Sequence, residues 1–66
     1  MTDVQFANVP NGAVLQNVLT HAHYRIRERI SQTIVAERIE PIATLALVEI
    51  IRPSQRAEWD IAVWQG

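Results

Sequence analysis

Two histidines, a tyrosine and three arginines fall within ten residues of this chain, in the stretch HAHYRIRERI at positions 21–30. Imidazole is a common metal ligand. On a helix, however, residues two apart point about 200° away from each other, so His21 and His23 would not chelate one ion. Their neighbours four residues on, Arg25 and Arg27, are cations that disfavour a bound metal. We therefore expect no metal site here.

The three arginines of this stretch would project to different sides of a helix, with Glu28 between them. Nucleic-acid sites usually combine a one-sided basic stripe with several stacking aromatic rings, and only Tyr24 is available here. The net charge of −1 supplies no general attraction to nucleic acid either. We expect a solvated face and no nucleic-acid partner; the alternative is a contact with a partner protein through Tyr24, Arg25 and Arg29.

Three carboxylates near the C-terminus, Glu49, Glu58 and Asp60, form the second candidate group. If two C-terminal strands pair as a hairpin with an even loop, all three project from one face of the sheet. Such a cluster could serve as a general acid or bind a hard cation. The sequence offers no nucleophile or histidine to work with it, and Arg56 can neutralise it. We expect structural ion pairing, no catalytic residue and no enzymatic activity.

The two tryptophans differ in their expected surroundings. Trp59 falls among the apolar positions of an alternating segment and is expected in the core. Trp64 has the opposite parity, where a large ring would be exposed to water. It is expected to contact a neighbouring subunit; a flat aromatic ligand is the alternative, although no cofactor is expected.

The longest periodic pattern predicts one amphipathic helix from about residue 13 to residue 38. The residues of its apolar stripe lie within about 40° of the centre of the stripe on a helical wheel. The stripe consists of Leu15, Leu19, Ala22, Ile26, Ile30 and Thr33. Pro10-Asn11-Gly12 predicts a turn before it, with Asn11 as a helix cap. Pro41 requires the helix to end near residues 39–40.

The remaining segments predict three strands. Val4, Phe6 and Asn8 alternate with Gln5 and Ala7, which predicts a short strand. The segment Ile42–Ile51 is apolar at both parities, which indicates a strand covered on both faces. A turn at residues 52–55 leads to a half-buried strand over residues 57–63. The expected fold is a single α+β domain, residues 1–66, of order β-α-β-β, with one long amphipathic helix packed on a small antiparallel sheet.

The dimensions of this expected fold predict self-association. The helix would be about 39 Å long at 1.5 Å per residue, whereas a compact chain of 66 residues has a radius of gyration of about 11 Å. Either the helix breaks near residues 31–33 or its far end packs on another subunit. One helix also covers only one face of a sheet. We therefore expect a homo-oligomer that completes the fold.

Composition narrows the expected class of protein. The chain has no cysteine, which excludes disulfides and is typical of a reducing compartment. It has no leader and no apolar run of about 20 residues, so we expect a cytoplasmic protein without a membrane span. The expected function is a self-associating structural or protein-binding component. The alternatives are an oligomer that binds a flat ligand at Trp59 or Trp64, or a cation at the acidic group, between subunits, and a small regulator of a partner protein.

Overall fold

The computed structural model describes residues 1–42 and 44–63. The chain forms a short helix α1, five strands and one 3-10 helix before the last strand. In chain order these are α1 (Asp3–Asn8), β1 (Val14–Asn17), β2 (His23–Ile30), β3 (Thr33–Glu40), β4 (Val48–Ile51), the 3-10 helix (Pro53–Glu58) and β5 (Trp59–Ala62).

All five strands belong to one antiparallel sheet of order β4-β3-β2-β1-β5, curled into a half-barrel. One core cluster joins the sheet to α1, whose Phe6 is buried. The four largest side chains with almost no exposed surface all come from strands: Leu15, Ile26, Ile34 and Ile51. The radius of gyration is 10.8 Å.

The first element is a helix, so the prediction of a strand through Val4, Phe6 and Asn8 is wrong. The side chain of Thr2 accepts a hydrogen bond from the Gln5 N–H at 3.1 Å, and Gln5 Oε1 accepts one from the Thr2 N–H at 2.9 Å. This reciprocal capping box satisfies two backbone donors that a helix start leaves open. In a segment of only six residues, these capping hydrogen bonds favour a helix more than the short alternating pattern favours a strand.

The long amphipathic helix over residues 13–38 is absent, and the α+β fold of order β-α-β-β built on it is wrong. The same residues form β1, β2 and β3 with the turns between them. Leu15 and Ile26 of the predicted stripe are buried, but Leu19 is 78% exposed and Ile30 61% exposed, because Leu19 lies in a turn and Ile30 at the end of β2.

Two features hide the strand pattern of this region. A β-bulge between Ile26 and Glu28 shifts the register of β2 against β3, so apolar and polar residues stop alternating in step. The hairpin turn at Ser31-Gln32 contains neither Gly nor Pro, and Ser31 itself takes a positive φ of 56°. Without an alternating run or a recognisable turn, the spacing imitates a helix.

The turn predicted at Pro10-Asn11-Gly12 is present, and Gly12 takes a φ of +89°, which favours glycine. Asn11 does not cap a helix, because β1 follows.

The C-terminal third departs from the predicted hairpin. Among the described residues of the apolar run from residue 42, Val48–Ile51 alone forms a strand, and it lies at a sheet edge rather than covered on both faces. The predicted turn at residues 52–55 is the start of the 3-10 helix, which leads the chain away from β4. The final strand exists as Trp59–Ala62, but it pairs with β1 at the other edge. The even-loop pairing is therefore wrong.

Among the described residues, no helix has the length and apolar character needed to cross a membrane.

Candidate functional site

The free edge of β4 presents unpaired backbone groups. The Arg38 N–H donates to the Leu47 carbonyl at 2.8 Å, and the pairing of β3 with β4 continues in the same register. Hydrogen-bonded and non-bonded pairs alternate in an antiparallel ladder, so Glu49 and Ile51 also bond to β3. The N–H and C=O groups of Val48 and Ile50 therefore point away from the sheet. No described residue pairs with them.

Exposed apolar side chains concentrate in β4 and in the connection that leads into it. Eleven large hydrophobic side chains are exposed among the described residues, and five of them lie within residues 42–50. These five are Ile42, Leu45 and Leu47 before the strand, and Val48 and Ile50 within it. Their exposure runs from 42% to 91%. Exposed apolar residues are unremarkable when scattered, but a group beside an open strand edge is typical of an association site.

The opposite edge is partly covered. By the same alternation, the Val18 N–H bond to the Glu58 carbonyl sends the backbone groups of Trp59 and Ile61 outward from β5. The Trp59 carbonyl accepts a 2.7 Å hydrogen bond from the Met1 amino group, which also donates to the Arg56 carbonyl at 2.9 Å. The N-terminal residue thus occupies the start of the β5 edge. The two edges of the sheet are not equivalent.

A cleft of about 300 Å³ opens between α1, the β2–β3 turn and the 3-10 helix. Arg29 reaches into this region from β2: its Nη2 donates to the carbonyls of Phe6 at 2.8 Å and Val9 at 3.0 Å, and its guanidinium carbon lies 5.5 Å from the centre of the Phe6 ring. Arg56 Nη1 donates to the Pro53 carbonyl at 3.0 Å. The cleft is lined by Asp3, Phe6, Ala7, Arg29, Ser31, Gln32, Pro53 and Arg56.

The candidate interface residues of the predicted helix do not share a surface. Tyr24 is buried, and its ring meets that of Trp59 edge-on at 5.0 Å. Arg25 is exposed on the opposite side of β2 and donates to the Gly12 carbonyl at 2.9 Å. Arg29 is occupied with the end of α1. Neighbouring residues of a strand alternate between faces, so a helical face through Tyr24, Arg25 and Arg29 does not exist. The core position predicted for Trp59 is confirmed.

The structure does not bring the carboxylates of Glu49, Glu58 and Asp60 onto one sheet face. Glu49 lies on β4 opposite Ala36, and Asp60 lies on β5 opposite Gln16, at the two ends of the strand order. Glu58 ends the 3-10 helix. The shared sheet face expected for these carboxylates depended on a β4–β5 hairpin that does not form. Arg56 pairs with Asp3 instead of with this group.

The two histidines lie at a turn and a strand end rather than on a helix. His21 has a positive φ of 63° before β2, and His23 is the first residue of β2. Within residues 1–42 and 44–63, no three His, Asp or Glu side chains are placed to hold a metal ion.

Trp64, proposed from the sequence as a subunit or ligand contact, lies outside the described residues. Comparison of the chain with protein-family models, with curated proteins and with solved structures finds no match.

Proposed function

We propose that this chain is a self-associating structural component, and that β4 pairs with β4 of a second copy. The supporting observation is the open β4 edge, with the outward backbone groups of Val48 and Ile50 set among exposed apolar side chains. Adding an antiparallel strand to an open edge satisfies the backbone groups and buries the adjacent side chains together. No catalytic role is assigned to this edge.

A second copy is the occupant that this edge fits best. An antiparallel pair of identical strands is related by a two-fold axis, so one surface supplies both halves of the contact. The formal net charge of −1 opposes the approach of a second copy very little. Charge gives no preference for a strongly basic or strongly acidic partner.

The pairing register follows from one charged residue. An axis through Ile50 places the two Ile50 side chains opposite each other, next to Val35, which faces Ile50 across β3 and β4. The result is an apolar row of four side chains on the outer face of the joined sheets. An axis through Glu49 would instead set two carboxylates directly opposite, which is destabilising. An axis through Val48 would place Glu37, which faces Val48 across β3 and β4, at each end of the row, so we place the axis at Ile50.

Replacing Ile50 with lysine is expected to dissociate the pair. The substitution removes exposed apolar surface from each copy and sets two cations opposite each other across the axis. Light scattering should give twice the mass of one chain for the wild-type protein, and sedimentation should show at least a tenfold weaker dimer for Ile50→Lys, about 1.4 kcal/mol or more.

Ile61→Lys is the matched control, because Ile61 on β5 is 48% exposed, as Ile50 is. It should leave the mass doubled. If the wild-type protein has the mass of one chain at every concentration, or if the two substitutions act equally, the β4 pairing is refuted. A wild-type monomer would favour the alternative that a partner protein binds at the same edge.

A further inference from the structure

The cleft between α1 and the 3-10 helix contains two arginines that its walls hold in place. Both Nη2 hydrogens of Arg29 are used by the Phe6 and Val9 carbonyls, which fixes its guanidinium over the Phe6 ring. Arg56 is held at Nη1 by the Pro53 carbonyl and at Nε by Asp3. Guanidinium groups that are already ordered lose little freedom when they bind a ligand.

Each of the two arginines has N–H groups that remain available to a ligand. A guanidinium has five N–H groups. In the described part of the chain, Nε and Nη1 of Arg29 and Nη2 of Arg56 donate to no protein group. The charged residues of the cleft are these two cations and Asp3, so its formal charge is +1 in a chain whose net charge is −1.

The rest of the cleft has a mixed character. Phe6, Ala7 and Pro53 provide apolar walls, while Ser31 and Gln32 of the β2–β3 turn add a hydroxyl and an amide. A volume of about 300 Å³ suits a small molecule rather than a large cofactor. Planar carboxylates match the fork of a guanidinium, and an apolar wall favours a ligand with an apolar body.

We propose that this cleft binds a small carboxylate with an apolar or aromatic body, with Arg56 as its main anchor. Asp3 supplies the internal carboxylate that the ligand displaces. Its side chain is 81% exposed and that of Arg56 is 39% exposed, so their ion pair is well solvated and weak enough to exchange. Asp3 thus limits the affinity of the site for carboxylates. The cleft contains no residue of β4, so this site stands or falls separately from the β4 pairing.

Benzoate, followed by NMR titration, is a direct probe, with benzamide as its neutral counterpart. Benzoate should saturate shifts of residues in the cleft with a dissociation constant on the order of 1 mM, as expected for a ligand of this size, and benzamide should not. Arg56→Gln should weaken benzoate binding at least about fivefold, whereas Asp3→Asn should tighten it by about threefold or more. Arg52→Gln, outside the cleft, should leave the affinity unchanged.

The two cleft variants separate binding from stability. Both remove the same ion pair, so any effect on folding has the same sign in both, and their melting temperatures provide that check. Opposite changes in benzoate affinity are therefore specific to the proposed site. Equal binding of benzoate and benzamide, no saturable binding, or affinity changes of the same sign in Asp3→Asn and Arg56→Gln would each overturn the proposal.

Discussion

Ile34→Ala is expected to lower the free energy of unfolding by about 2–5 kcal/mol, the usual cost of removing a buried isoleucine side chain. Ile34 has no exposed surface and lies opposite both Arg29 and Ile51 in the sheet. Chemical denaturation of both proteins at the same protein concentration measures the change with the contribution of association held constant.

Ile30→Ala is the matched control, with the same residue type and the same substitution. Ile30 is 61% exposed at the end of β2, so its loss should cost about 0.5 kcal/mol or less. A helix over residues 13–38 would reverse this order, because Ile30 lies on the apolar stripe and Ile34 beside it. Equal costs, or a larger cost at Ile30, would contradict the antiparallel sheet.

Trp59→Ala is expected to leave little folded protein. Trp59 is 4% exposed at the start of β5, and its ring packs edge-on against Tyr24 from β2. Truncation of a buried tryptophan costs about 3–5 kcal/mol, and the aromatic pair contributes about 0.5–1.5 kcal/mol within that loss. A domain of this length has a total stability of only about 3–10 kcal/mol. Circular dichroism should show a strongly lowered or absent cooperative melt.

Two further substitutions serve as controls for Trp59→Ala. Trp59→Phe keeps a ring beside Tyr24 and should retain a cooperative melt at a lower temperature. Ile61→Ala, two residues later on the same strand, removes a half-exposed side chain and should cost much less than Trp59→Ala. If Trp59→Ala and Ile61→Ala are equally mild, the core position of Trp59 is contradicted.

The sequence predicts the core better than it predicts the elements that carry the core. Leu15 and Ile26 are buried in the structure and lie on the predicted helical stripe, because both a helix and a pair of hairpins can bring them to one side. The prediction is wrong about the period of the pattern, which is that of strands interrupted by a bulge and not that of a helix. Alternation in β2 survives only through Tyr24 and Ile26, and the bulge then shifts the register. A bulge is an arrangement between two strands, so one strand read alone does not reveal it.

The order of the strands in the sheet is the second feature that the sequence does not predict. The segment Trp59–Ala62 was recognisable as a strand, but its partner depends on where the preceding 3-10 helix directs the chain. Only long-range contacts place it beside β1. Glu49, Glu58 and Asp60 do not share a sheet face for this reason, and the sequence does not predict the cleft because Arg29 and Arg56 come from elements far apart in sequence. The Thr2–Gln5 capping box is a signal of α1 that can be recognised in the sequence.

The β4 edge was visible in the sequence only as a run of apolar residues. The composition of residues 42–51 fits a covered central strand as well as an exposed edge, and the two differ in which neighbours the fold provides. The prediction of self-association arose from the length of a helix that does not exist. It stays a prediction, now based on the outward groups of Val48 and Ile50.

Amide hydrogen exchange along β4 tests this pairing most directly. With the axis at Ile50, the Ile50 N–H should exchange slowly in concentrated solution and fast on dilution, since its bond partner is Ile50 of the second copy. The Glu49 N–H, directed at β3, should stay protected at both concentrations and serves as the internal control. An Ile50 amide that exchanges fast at every concentration, while that of Glu49 remains protected, would contradict the pairing.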